Sequence, residues 1–279
     1  MTPQQYCKQK AAPRGSTLHY SLLFLPAEQR EAITALHAFR RELADAVEDA
    51  SDPGVAVARM QWWRSELSAA LNGQPQHPVM KALTPAIARY ALPKEHLTEI
   101  IEGAQMDLDY NRYPDFPTLE SYCRRVSGVV GMLSAKILGC TEPATLEFAR
   151  TIGAGLELVR IIREAGHDVR RNRIYIPLDE LHRFALDTSD LIALREDERV
   201  ERMMIFQIER ARGFFARAEA LLGRADRQAQ RAQLIMAAID RRLLDEIEGL
   251  RGRTLNQRVA LTPLRKLWVA WRTWVAGEG

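Results

Sequence analysis

The sequence predicts an all-α fold, and three observations carry that prediction. Nearly every long segment places apolar residues at three- and four-residue steps, the period of a helix with one buried face. Prolines and short polar stretches punctuate these segments, as helix starts and stops do. Alternating β-rich runs and fixed-period repeats are absent from the sequence. Around ten helices joined by short loops imply a bundle with a buried centre.

In order, Pro26 precedes a helical run from Ala27 to about Ala50, with Ile33, Leu36, Phe39, Leu43 and Val47 on one face. Asp52-Pro53 starts the next helix, which carries Trp62, Trp63 and Leu67, and residues 72–78 (NGQPQHP) read as a loop. Pro93 opens a helix toward Tyr110, which Pro114 and Pro117 break. Residues 118–138 are helical despite Gly128 and Gly131, and Pro143 starts a long helix reaching at least Asp168. Past Pro177, a short connection leads to helices over roughly 198–222 and 227–250. A last helix begins at Pro263 and carries Trp268, Trp271 and Trp274. Those tryptophans read as packing, with an interfacial anchor as the competing reading because Arg265, Lys266 and Arg272 flank them.

Composition narrows the class. The 279 residues are 47% hydrophobic and 27% charged, an ordinary globular balance. Apolar residues are spread evenly without a Gly/Ser- or Pro-rich linker, so one domain is expected over residues 1–279. The N-terminus MTPQQYCKQK lacks the apolar core of a secretory signal. No uncharged apolar window reaches the roughly 18 residues of a membrane span. The expected location is the cytoplasm, with at most peripheral association at the inner face of the membrane. Cys7, Cys123 and Cys140 are odd in number and lack metal-ligand spacing, which fits reduced thiols. A net charge of +3 suits anionic ligands or an anionic membrane surface. It does not point to nucleic acid, since no basic stripe interleaves with stacking aromatics.

Two helices carry carboxylates in unusual places. In the first, Asp45 and Asp49 stand four apart with Glu48 beside them. Like charges at that spacing destabilise a helix unless a cation compensates, and Mg²⁺ takes one or two carboxylates together with phosphate oxygens. In the second, Glu157, Arg160, Glu164 and Asp168 follow one face, and a basic stretch (residues 169–177, VRRNRIYIP) comes after it. Arginine forks of that kind hold phosphate. From spacing alone, both faces also read as solvated surface laced with ion pairs.

The surroundings add a family resemblance. The matching stretches include Gly15-Ser16-Thr17, Tyr20-Ser21, Phe24-Leu25-Pro26 and residues 35–41 (ALHAFRR). Met106-Asp107-Leu108, Arg112-Tyr113, residues 122–131 (YCRRVSGVVG), residues 173–177 (RIYIP) and residues 261–267 (LTPLRKL) follow in order. Together they resemble the squalene/phytoene synthase family, most of all the bacterial presqualene diphosphate synthases of hopanoid biosynthesis. The resemblance implies an isoprenoid synthase type helical bundle with a central cavity. Two aspartate-rich helices would face each other, with Mg²⁺ bridging them to prenyl diphosphate substrates. The implied reaction is head-to-head condensation of two farnesyl diphosphates to presqualene diphosphate. The alternatives are phytoene synthase-type condensation of longer chains and non-catalytic binding of an isoprenoid diphosphate.

Carried over position by position, the resemblance makes Asp45, Glu48, Asp49, Glu164 and Asp168 the metal ligands. Tyr122 and Arg163 would be catalytic, while Ser16, Tyr20, Arg41 and Arg173 would contact diphosphate. The departures concentrate at these motifs. Ala44 replaces the first Asp of the first motif, and Glu48 and Asp49 exchange its last two residue types. In the second motif Arg160 replaces an amide, Glu164 replaces Asp, and Glu157 and His167 also depart. Asp240 stands where an aromatic residue is usual. These changes are expected to depress turnover, because Mg²⁺ demands near-octahedral geometry at roughly 2.0–2.1 Å and a cation at position 160 opposes it.

Overall fold

The computed structural model describes residues 1–50 and 52–276. Ser51 and residues 277–279 of the expected domain lie outside the described residues. The described chain is helical from end to end, and its one β feature is an isolated bridge between Arg112 and Ile174. The helices are α1 (Pro3–Ala11), α2 (Thr17–Ser21), α3 (Ala27–Glu48), α4 (Pro53–Leu71), α5 (Pro78–Arg89), α6 (Lys94–Asp109), α7 (Phe116–Cys123) and α8 (Val129–Leu138). They continue as α9 (Pro143–Arg170), α10 (Leu178–Arg183), α11 (Thr188–Ile192), α12 (Glu198–Leu221), α13 (Arg224–Arg227), α14 (Arg231–Gly249) and α15 (Pro263–Ala276).

Local chemistry sets these boundaries. Thr2 and Gln5 form a reciprocal capping box at α1, which satisfies two orphan donors at once. Asp52 and Asp115 accept backbone N–H groups at the starts of α4 and α7. The helix running toward Tyr110 ends at Asp109, before Pro114 and Pro117 as expected, and Pro117 sits in the first turn of α7, where a missing N–H costs nothing. Helix α5 was hidden because Pro85 lies inside it and its first residue closes the polar loop. The connection after Pro177 holds α10 and α11, both too short for periodicity to register.

The 28-residue α9 runs through the centre and buries residues on every side, from Phe148 and Ile152 to Glu157 and Asp168. One apolar cluster joins α9 to α12 and α14 through Phe214, Phe215, Met203 and Leu244. Another joins α3 to α4, α5, α6 and α8 through Phe39, Met60, Trp63, Leu97 and Leu133. On α15 the structure departs from the packing expectation. Trp274 stacks on Phe24 at 4.9 Å, but Trp268 and Trp271 are about half exposed, 52% and 53%.

Between α7 and α8, residues Arg124–Gly128 form a single π-helical turn. The glycines there serve close approach. A Cβ on Gly153 of α9 would lie 2.3 Å from the Ser127 carbonyl oxygen, and one on Gly131 would lie 2.2 Å from that of Ala149. Helix propensity favours Ala over Gly by about 1 kcal/mol, yet a backbone carbonyl cannot retreat as a side chain does. Gly153→Ala is therefore expected to destabilise the protein by about 1–3 kcal/mol, the usual cost of overpacking. A urea titration measures this, and a stabilised variant would contradict the crossing described here.

Candidate functional site

Helices α3 and α9 both line a central cavity of about 410 Å³. Its lining includes the apolar Leu22, Ile33, Val130, Leu138 and Met236, together with His37, Ser134, Gln233 and Asp240. Arg40, Arg41, Arg160, Arg163, Arg258 and Lys266 also line it. A second space of about 450 Å³ adjoins it, shares Arg41, Arg160, Arg163 and Arg258, and is bounded by Glu48, Glu164 and Asp168.

A buried ion cluster lies at the junction. Glu157 is 2% exposed and accepts from Arg40, Arg160 and Ser127. Burial alone would raise its pKa, but Arg40 and Arg160 outweigh burial and lower it to about 2. The π turn prepares these partners. It presents the Val126 carbonyl to Arg40 Nε at 3.1 Å and aims the Ser127 hydroxyl at Glu157. Arg160 also reaches Asp168 at 3.3 Å and stacks over Tyr175 at 5.0 Å. One of its terminal nitrogens, Nη2, is buried without an acceptor.

Arginines also hold the outer carboxylates. Glu164 pairs with Arg163 and Arg258, each at 2.8 Å. Burial raises its pKa, but the two guanidiniums reverse the direction and lower it. Arg258 reaches that point because Gly166 lets the chain at Leu255 lie directly on α9; a Cβ there would be 2.0 Å from the Leu255 carbonyl oxygen. Arg171, which caps α9, donates to the Glu48 carbonyl at the end of α3. Deeper in the wall, burial raises Asp240 to about 6, partly offset by Arg163 and Lys266. His37 stays neutral, lowered to about 3 by burial and then by Arg40.

The structure brings some of the sequence-derived candidates together and separates others. Ser16, Arg41 and Arg163 line the central cavity, and Glu48, Glu164 and Asp168 bound the adjoining space. Asp45 and Asp49 do not join them. Successive helix residues are ~100° apart, and the positions of α3 that face the two spaces are 33, 37, 40, 41 and 48. Asp45 instead pairs with Lys10 at 2.6 Å and Arg41 at 2.8 Å. Asp45 and Asp49 line a separate cleft beside Trp62, Trp63 and His77. Tyr20 packs against the apolar core. Tyr122 and Arg173 line neither of the two spaces and sit instead in a buried network centred on Asp107. That carboxylate accepts from Tyr122 and Tyr175 at 2.9 Å each and pairs with Arg173 at 2.7 Å.

Sequence reasoning gave no site role to Arg40, Lys266, Arg258 or Asp107. Arg40 and Lys266 lay within matched blocks, and Asp107 stood in the Met106-Asp107-Leu108 match. Arg258 had no signal, because a loop carries it to the site.

The sequence profile of squalene/phytoene synthases matches residues 11–265. The chain belongs to the squalene/phytoene synthase family. Among its relatives, the phytoene synthase of Arthrospira platensis is 31% identical, over 94% of this chain and 89% of its own length. The 15-cis-phytoene synthase of Synechococcus elongatus is also 31% identical, with the same coverage. In fold, the chain is similar to a ligand-bound dehydrosqualene synthase, with a TM-score of 0.85, 19% identity and coverage of 99% and 96% of the two chains. It is also similar to the squalene synthase HpnC of Alicyclobacillus acidocaldarius, with a TM-score of 0.76, 24% identity and coverage of 89% and 94%. The bundle is thus an isoprenoid synthase fold.

Members of this family generally use Mg²⁺ with diphosphate substrates. The residues present here do not fit that ion. Among the described residues no closed cage of three acidic, His or Cys side chains forms, and the carboxylates that could share an ion with phosphate oxygens are already paired with cations. Ala44 offers no oxygen, Arg160 lies between Glu157 and Asp168, and Glu164 is shared by two guanidiniums. The expected set of Asp45, Glu48 and Asp49 with Glu164 and Asp168 does not assemble.

Two stability predictions follow from the charges. Glu157→Gln leaves Arg40 and Arg160 underpaired, so a loss of about 3–5 kcal/mol is expected by denaturant titration. For Asp240, the folded pKa lies above the unfolded one, so the unfolded chain loses its proton first and stability falls as pH rises from about 4 to 6. Asp240→Asn should raise the Tm at pH 7.5, by an equivalent of about 1–3 kcal/mol, and much less at pH 4. An equal gain at both pH values would show that Asp240 does not titrate in this window.

Proposed function

We propose that this protein binds an isoprenoid diphosphate in the central cavity and that its condensation chemistry is weakened. The prenyl chain would lie against the apolar side chains, and the diphosphate would sit among the arginines. The observation that supports this most directly is a cavity whose lining combines apolar side chains (Leu22, Ile33, Val130, Leu138 and Met236) with Arg41, Arg160, Arg163, Arg258 and Lys266. At about 410 Å³ it lies low in the range of roughly 300–1,000 Å³ that takes one small ligand. Two prenyl diphosphates would need the adjoining space as well.

The activity under test is head-to-head condensation of two farnesyl diphosphates to presqualene diphosphate. Phytoene-type condensation of longer chains is the second reading, favoured by the phytoene synthases among the relatives and opposed by the cavity volume. Either reaction needs stabilisation of the departing diphosphate, and arginine-paired carboxylates supply little of the ion binding that the family uses for it.

Thermal unfolding with farnesyl diphosphate in Mg²⁺ buffer, with farnesol and inorganic pyrophosphate as partial ligands, tests the binding. Full ligand at ~100 Kd should stabilise the protein by about 2.7 kcal/mol, and each partial ligand by less. Analysis of extracted lipids tests the chemistry. Slow or absent product is expected from the natural chain, and a gain from the combined Ala44→Asp, Glu48→Asp, Arg160→Asn and Glu164→Asp variant. Rapid condensation by the natural chain, slowed by those changes, would overturn this proposal.

A further inference from the structure

We infer that the diphosphate site works without metal, with Arg160 as a built-in cation where the family's ion would sit and with solvent-accessible arginines as the grip. This rests on the binding proposed above and adds how the head group is held. Three independent features meet at one place. The first is the position of Arg160, buried between Glu157 and Asp168 and stacked on Tyr175. For a divalent ion to enter there, a guanidinium would have to leave two carboxylates in a buried setting, which is strongly unfavourable.

The second is the charge balance. Arg40, Arg41, Arg160, Arg163, Arg170, Arg258 and Lys266 face the joined spaces, against Glu48, Glu157, Glu164, Asp168 and Asp240. The cations exceed the carboxylates before any metal is added. An acidic metal-binding site has the opposite balance.

The third is the supply of donors. Arg160 Nη2 is buried without an acceptor. Arg258 is largely exposed, at 70%, and Arg41 about half exposed, at 47%, so each can turn from its carboxylate to a phosphate at little cost. Arg163 shares Glu164 with Arg258, so a diphosphate that draws one away leaves the other to hold the carboxylate. Guanidinium forks bind phosphate oxygens bidentately.

Calorimetric titration of farnesyl diphosphate in Mg²⁺ buffer and in EDTA tests this. The expected result is one affinity in both buffers, weakened by added salt. Arg258→Gln should weaken binding about tenfold in both, the scale of one lost charge-assisted hydrogen bond. Because Arg258 is exposed, that variant is not expected to unfold. The paired change Ala44→Asp and Arg160→Asn should make binding depend on Mg²⁺, with circular dichroism checking its fold. Binding by the natural chain that disappears in EDTA would overturn the metal-free site and leave the proposed function standing. Absence of binding in both buffers would overturn both.

Discussion

The Glu157 carboxylate, held between Arg40 and Arg160, is the constraint on which the centre of this molecule depends. A nearly fully buried carboxylate is costly unless its charge is matched and its lone pairs are filled. Here two guanidiniums and the Ser127 hydroxyl do both. Each partner comes from a different part of the bundle. Arg40 projects from α3, Ser127 from the π turn, and Arg160 from the next turn of α9. The ion cluster therefore ties the two motif-bearing helices to each other and sets the charge at the cavity. Gly153 and Gly131 let α9 lie against the π turn and α8, which brings Ser127 within reach of Glu157.

That geometry explains what could be read from the sequence. The helical fold was legible because period and proline punctuation act locally. The ordered family blocks pointed to the correct bundle. Helix α5 was missed because an internal proline outweighs periodicity when residues are read singly, whereas neighbouring helices can hold such a segment in place. On α9 the shared face of 157, 160, 164 and 168 was visible from spacing, and the structure brings Glu157, Arg160 and Asp168 into contact.

On α3, spacing named Asp45 and Asp49 as a pair but could not say toward which neighbour they point. One residue of helical rotation separates the cavity from the cleft that holds Lys10 and Trp62. The residue that would have faced the cavity is Ala44. Reading the motif by composition alone therefore counts three acids, while only Glu48 bounds the spaces that α9 faces. Arg258 and Lys266 reach the site from the segment after α14, and no local pattern reveals a contact that tertiary packing alone creates.

The same residues divide binding from chemistry. A guanidinium carries one charge spread over a plane and holds phosphate through hydrogen bonds. A magnesium ion concentrates two charges and binds an oxygen directly, which is what a departing diphosphate needs as its charge grows. Exchanging the second for the first keeps ground-state affinity and gives up stabilisation specific to the transition state, and only the latter accelerates a reaction. The buried arginine pairs also make that exchange hard to reverse by a single substitution. Removing Arg160 alone strips Glu157 and Asp168 of a partner, and adding Asp at 44 alone places one more carboxylate opposite an arginine already in place. On the proposed reading the two positions are coupled through the space between α3 and α9, so restoring ion binding is expected to need both changes together.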